Sequence, residues 1–393
     1  MRSIGTISRG IRTPIIKQGD DLVEIAATSV TEAANDGGFS LHDRDVVGIT
    51  ESVLARAQGN YATIAQISQD VRKKIPGGTA GITLPILSRN RFSQILRGIS
   101  GGVDELFILL AYPGDEVGNP LISWDALDEK GVNPYIDVLE EAEFIRLFGK
   151  AEHPFTGVDY ISYYKELTGG KARIIFGNDP RSVLKYAKFV ITADIHTRGR
   201  SKRLLAAAGA GGVFGLDDIL NEPIGGSGYN PEYGLLGSNL ATADSLKLFP
   251  RDAGDFAERV ADRLHALTGK RIEVLVYGDG AFKDPVGGIW ELADPVVSPG
   301  YTKGLEGTPN ELKLKYLADT AVSGKQGDDA SEAIREMIRE KQGDLTGNMA
   351  AQGTTPRRYT DLLGSLCDLT SGSGDKGTPI VLIQGYFDTY ADV

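Results

Sequence analysis

One cysteine in 393 residues, Cys367, rules out an internal disulfide and suits a reducing compartment. Four histidines and that single thiol leave no Cys/His array for zinc, and no Gly-x-Ser-x-Gly marks a hydrolase nucleophile. Nowhere do about 18 apolar residues run together, and residues 1–30 carry no apolar stretch of the secretory type. The net charge of −11 leaves too little positive surface for a general affinity for nucleic acid or anionic membrane. A small basic pocket for one phosphate group is compatible with it. These absences lead us to expect a soluble cytoplasmic protein.

Glycine is abundant, at 50 residues, about twice the ~7% average. The glycines follow no fixed period, which excludes collagen-like and repeat architectures. They gather at the ends of apolar runs, as in "GGTAG", "GAGGVFG" and "SGSGDKG". That distribution suits tight loops over a sheet scaffold. The length exceeds the usual ~100–200 residues per domain, so two domains or one domain with a large insertion are expected.

The periodicity points to an α/β chain. Gly19 to Asp21 supply helix-start chemistry before the stripe Leu22, Ile25, Ala26 and Val30, and "DVVGITESV" reads as a buried strand ending near Thr50. Residues 61–75 look helical. Between about 80 and 225, "DELFILLAY", "KARIIFGND" and "KFVITAD" read as strands, with helices expected over "NPYIDVLEEAEFIRLF" and "PRSVLKYA". Such alternation implies an α/β layer with loops at the strand carboxyl ends. "DAGDFAERVADRLHALTGK" is a helix that Asp255 can cap and Gly269 ends. The strand "RIEVLVY", a charged helix over "DDASEAIREMIREKQ", a helix near 360–369 and the strand "TPIVLIQGY" complete the chain.

Several strand ends carry possible chemistry. "VLVYGDGAFKDP" breaks from a β-branched run into Asp279 and Asp284, which either hold a metal ion or shape a turn. "ITADIHTRGRSKR" presents Asp194 and His196, a possible metal or acid–base pair, followed by Arg198, Arg200, Lys202 and Arg203. That basic cluster suits a phosphate or carboxylate. The alternative is an aspartate capping the next helix among solvated cations. In "GNDP", Asn178 and Asp179 read chiefly as helix caps. In "AYPGDEVGNP", Asp115 and Glu116 are oxygen donors of the kind hard cations take, or the acids of a Pro-Gly turn. "SGSGDKGTP" precedes a strand rather than a helix, so it is no P-loop, although its amides can form an anion nest.

Two long stretches and one short one resemble the γ-glutamyl ligases that add glutamate to the deazaflavin coenzyme F-420. They are "GIRTPIIKQGDDLVEIAATSV" through "RDVVGITESVLARAQGN", then "YGLLGSN" through "TGKRIEVLVYGDGAFKDPVGG", and finally "SGSGDKGTPIVLIQGY". Together they cover about half the chain. The resemblance implies a discontinuous ligase-like core over residues 1–60 and 229–393, with 61–228 an inserted α/β region for substrate or interaction. It further implies GTP or ATP as co-substrate, Mg²⁺ or Mn²⁺, amino-acid and carboxylate substrates, and a homodimer.

Matched position by position, Thr13, Pro14, Ile15 and Ile16 would lie along the nucleotide, with Ser52, Arg56, Ser238, Asn239 and the loop Ser373, Gly374, Asp375 and Gly377 near it. Three metal positions differ. Leu236 stands where the family has an acid, gapless counting puts Gly278 at another with Asp279 one place on, and Ser373 occupies the third. Asp279, Asp284 and Glu51 are the candidate replacements. A metal-dependent amide ligase is the leading expectation. The alternatives are a non-catalytic nucleotide- or cofactor-binding protein and a phosphoester hydrolase using Asp194 and His196.

Overall fold

The computed structural model describes residues 4–87, 92–150, 152, 157–279, 296–341, 343–345, 347–351, 357–371 and 375–392, with the backbone alone at 279, 296 and 297. The fold is mixed α/β. The described residues form two compact units. The first takes residues 4–57, 252–279 and the described residues from 296 onward; the second takes residues 58–251. Strands β1 (Ile7–Ile11) and β2 (Val46–Thr50) come before the second unit. Within it lie β3 (Tyr61–Thr63), β4 (Thr79–Thr83), β5 (Glu105–Leu110), β6 (Leu139–Glu140), β7 (Ala172–Phe176), β8 (Phe189–Thr192), β9 (Gly212–Gly215), β10 (Asn239–Thr242) and β11 (Ser245–Lys247). The first unit resumes with β12 (Glu273–Asp279), β13 (Val296–Tyr301) and β14 (Ile380–Gln384).

In the first unit the strand order is β1-β14-β2-β12-β13, with β2 and β12 parallel and the other neighbours antiparallel. Both faces of this sheet are covered, which explains the near-continuous apolar runs in β2, β12 and β14. Val47, Ile49, Val274, Val276 and Leu382 pack on the helices Leu22–Gly37 and Ala253–Thr268. Val46, Leu275, Tyr277, Val381 and Ile383 face the helix Tyr359–Ser371 through Leu363 and Cys367. A side chain at Gly48 would run into the Cys367 sulfur, so glycine there lets the helix approach. Cys367 is a free buried thiol, and burial pushes its pKa well above the ordinary range.

Local chemistry sets the helix ends. The Asp21 carboxylate accepts from the Glu24 N–H at 3.2 Å, and Gly38 closes the same helix at φ 62°. The helix Ala253–Thr268 starts after Asp252, at φ 53°, so Asp255 lies in its first turn rather than at the cap. An acid there still complements the helix dipole. Strand β1 is short and pairs only with β14 at the sheet edge.

The second unit holds a six-stranded sheet in the order β6-β7-β5-β4-β8-β9, parallel except for β6. The chain starts at the central β4, moves outward through β5 and β7, then returns to β8 and β9 on the other side. The order therefore reverses between β4 and β8. Two helical expectations are corrected. Over residues 133–148 only Glu141–Phe148 is helical, preceded by β6, and Pro180–Lys185 is a 3₁₀ helix. The 3₁₀ helix, six residues long, is the only regular element in the connection from β7 to β8. Residues 61–63 form β3 ahead of the helix Ile64–Lys74, which has a capping box between Thr63 and Gln66. Antiparallel pairing of β10, β11 and β3 brings residues 239–247 into this unit.

The two ends of the unit are tied by one side chain. Gln58 donates to the Arg251 carbonyl at 2.7 Å and accepts from the Arg251 N–H at 2.9 Å. Its core runs continuously from Ile67 through Ile108 and Tyr164 to Leu248. Among the described residues, no helix is long and apolar enough to cross a membrane. A fragment of residues 58–251 should therefore unfold cooperatively alone. Circular dichroism should give one sigmoidal melt, and a gradual loss of signal would show that the unit cannot hold itself together.

Candidate functional site

Register brings the first unit's candidate residues to one end of its sheet. Ile11 pairs with Ile380, Ile380 with Ile49, and Thr50 with Tyr277. The carboxyl ends of β1, β2 and β12 consequently meet the amino end of β14. Arg12 donates to the Lys376 carbonyl at 3.3 Å, and the Thr50 N–H donates to the Pro379 carbonyl at 3.0 Å. Residues 13–16, 51–56, 278–279 and 375–377 all extend from this edge. Ile16 is buried and anchors its loop, whereas Ile15 is 81% exposed. Thr13 donates to the Pro14 carbonyl at 2.9 Å. The following turn is held by the Gly19 N–H on the Ala57 carbonyl at 2.9 Å and the Lys17 N–H on the Asp20 carboxylate at 2.7 Å.

Glu51 is the buried acid of this edge. It follows β2 directly, opens the helix Glu51–Ala57, and is only 3% exposed. Gly278 faces it: a β-carbon at 278 would collide with the Glu51 Cγ. The side chain of Glu51 thus fills the volume that any side chain at 278 would need. Ser52 is half-buried on the same turn, and Arg56 is exposed in the helix's last turn. Asp375 and Gly377 are exposed, with Gly377 at φ 65°. The Asp279 backbone pairs with Val296. Asp284, Ser373 and Gly374 lie outside the described residues. Among the described residues, no group of three or more His, Cys, Asp or Glu side chains forms a metal cage.

The remaining candidates sit in the second unit. Ser238 and Asn239 follow Leu236 there; Ser238 and Leu236 are buried. Asp194, just beyond β8, is 1% exposed and accepts from Thr197 Oγ1 at 2.7 Å and Ser201 Oγ at 2.8 Å. It thereby braces the start of the helix Arg198–Ala207. Arg198 pairs with Asp217 at 3.1 Å, and Lys202 pairs with Asp217 at 3.1 Å and Asp218 at 2.6 Å. Arg200 and Arg203 point to solvent. The basic cluster is therefore divided between two cations held in local ion pairs and two exposed ones. Asp179 caps Pro180–Lys185, and Asn178 accepts from the Tyr112 N–H at 3.3 Å.

Glu116 is the acid that sequence reasoning undervalued. Its neighbour Asp115 forms the turn, accepting from the N–H groups of Leu87, Val117 and Asn119 at 2.8–3.1 Å. Glu116 instead crosses to the loop after β8, accepting from the Ile195 N–H and from the His196 N–H at 3.2 Å. Burial, with the Asp194 carboxylate nearby, raises its pKa to about 7 against the pull of those amides. Burial raises Asp194 as well. Only the doubly wound strand order could have signalled this, because it sets the loops after non-consecutive strands beside each other.

The family model for F420-0:gamma-glutamyl ligase matches residues 10–385. No curated protein matches the chain.

The raised Glu116 value carries a stability consequence. Its carboxyl stays protonated in the folded chain after the unfolded chain has released its proton. Stability is then fullest below about pH 4.5, the ordinary glutamate value, and falls as pH rises through about 7, by roughly 2–3 kcal/mol. Glu116→Gln keeps an acceptor oxygen without the charge. Urea unfolding from pH 5 to 8 should show the variant gaining on the parent as pH rises; parallel profiles would contradict the assignment.

Proposed function

The chain belongs to the F420-0:gamma-glutamyl ligase family, and from that premise we propose a nucleotide- and divalent-metal-dependent ligase that joins glutamate, or a glutamate-like amino acid, to a carboxylate acceptor through an acyl phosphate. A carboxylate resists attack by an amine because its oxygen is a poor leaving group. Transfer of the terminal phosphoryl group of GTP or ATP to that oxygen releases the nucleoside diphosphate and gives an acyl phosphate. The amine then attacks the carbonyl carbon, phosphate leaves with the C–O bond electrons, and the nitrogen loses a proton. Such chemistry is served mainly by positioning and by neutralising phosphate charge.

The observation that carries this reading is the exchange between Glu51 and Gly278. An acid is absent at 278, and the buried side chain of Glu51 takes its volume. Mg²⁺ usually keeps several waters and takes one or two carboxylates together with substrate phosphates, so a protein cage of three acids is unnecessary. Glu51 fits that requirement, with Asp279 and Asp284 as the proposed further ligands. Mg²⁺ or Mn²⁺, when bound, would supply charge neutralisation at the transferring phosphoryl group. The loop Thr13–Ile16 would run along the nucleotide, with the exposed Ile15 offering an apolar contact. Ser52 would donate from its hydroxyl, Arg56 would pair with a phosphate, and Asp375 to Gly377 would offer backbone N–H groups.

Incubation with F420-0, glutamate, Mg²⁺ and either GTP or ATP should release one phosphate per amide bond, with a product heavier by one glutamyl residue. Glu51→Gln should lower turnover by about 100-fold while retaining a cooperative melt. Full turnover in a folded Glu51→Gln variant would remove Glu51 from the mechanism. Absence of phosphate release with both nucleotides would overturn the ligase assignment.

A further inference from the structure

The second unit contains a cavity that the ligase reading does not use. Its volume is about 40 Å³, and it is lined by Ile86, Ile95, Ala193, Ile195, Leu235 and Leu236, with Ser238 at its polar end. These residues come from the segments after β4 and β8 and from the turn before β10. The cavity therefore lies at the carboxyl ends of the two strands between which the sheet order reverses. Open parallel sheets take ligands at that place, because the loops diverge there and leave a crevice. Just before it, Leu84 holds a left-handed conformation at φ 51°, a strained choice for a bulky side chain.

Two observations point to an occupant. Ser238 is 3% exposed, and its hydroxyl oxygen has no hydrogen-bond partner among the described residues. A buried hydroxyl left unpaired is costly, and a ligand atom can relieve it. Among the described residues, the remaining wall is aliphatic or aromatic apart from the Gly237 backbone and carries no ionisable side chain. Leu236 contributes to that wall, so this position faces apolar rather than ionic contents.

We propose that this cavity is a binding site for the small, uncharged, branched aliphatic end of a ligand, with an oxygen atom that hydrogen-bonds to Ser238. No described wall residue would compensate an ammonium or carboxylate at the same depth, so an uncharged group is favoured. The site belongs to residues 58–251 alone and stands whether or not the chain is a ligase.

Methyl NMR spectra of the full chain, titrated with isobutanol, isobutylamine and isobutyrate, test the assignment. Isobutanol should shift the Ile86, Ile95 and Ile195 methyl signals saturably, and the two charged analogues should bind at least about tenfold more weakly. Ser238→Ala should weaken isobutanol about three- to tenfold, the size of one hydrogen bond. Ala193→Val, which fills the space with two methyl groups, should abolish the response without lowering the melting midpoint. Equal responses to all three probes, an unsaturable drift, or undiminished binding in a folded Ala193→Val variant would overturn the proposal.

Discussion

Glu51 and Gly278 compete for one volume at the carboxyl end of a buried parallel strand pair, and much else in the first unit follows from the register that sets them there. Thr50 opposite Tyr277 fixes which residue of β12 meets the first residue after β2. A slip of one residue would send every side chain of β12 to the other face and bury Val274 and Val276 against the wrong helices. The same pairing, continued through Ile49, Ile380 and Ile11, gathers four chain segments at one sheet edge. Sheet packing thus positions a carboxylate on rigid elements, where its geometry is better held than on a loop.

The second unit solves a similar problem by a different route. Its sheet reverses order between β4 and β8, and the diverging loops leave a crevice lined by apolar side chains. Charge is present nearby, and much of it is met internally: Asp194 Oδ2 by two hydroxyls, Glu116 by backbone amides, Arg198 and Lys202 by Asp217. Family membership, which spans residues 10–385, does not by itself tell what this crevice holds.

The α/β class was legible in the alternation of apolar runs, and the strands over 105–110, 172–176 and 189–192 fell where that pattern placed them. The short elements were not legible. β6 has two residues, β1 is an edge strand, and Pro180–Lys185 is too brief for a helical stripe. Such elements are decided by partners distant in sequence. At the site, Glu51 was named because it adjoins Ser52, but the reason for Gly278 could not be read locally: it lies in a side chain 227 positions earlier. Glu116 was hidden in the same way, since Asp115 beside it explains the turn and the link to Ile195 spans 79 residues.

The central claim is that Glu51 serves as the buried carboxylate of a cation site at the β2–β12 edge. Anomalous scattering from crystals of the full chain soaked with Mn²⁺ and a non-hydrolysable GTP analogue tests it directly. The account predicts a manganese peak bonded to a Glu51 carboxylate oxygen and to nucleotide phosphate. A bound nucleotide whose manganese takes its protein ligands elsewhere, with Glu51 uninvolved, would contradict it.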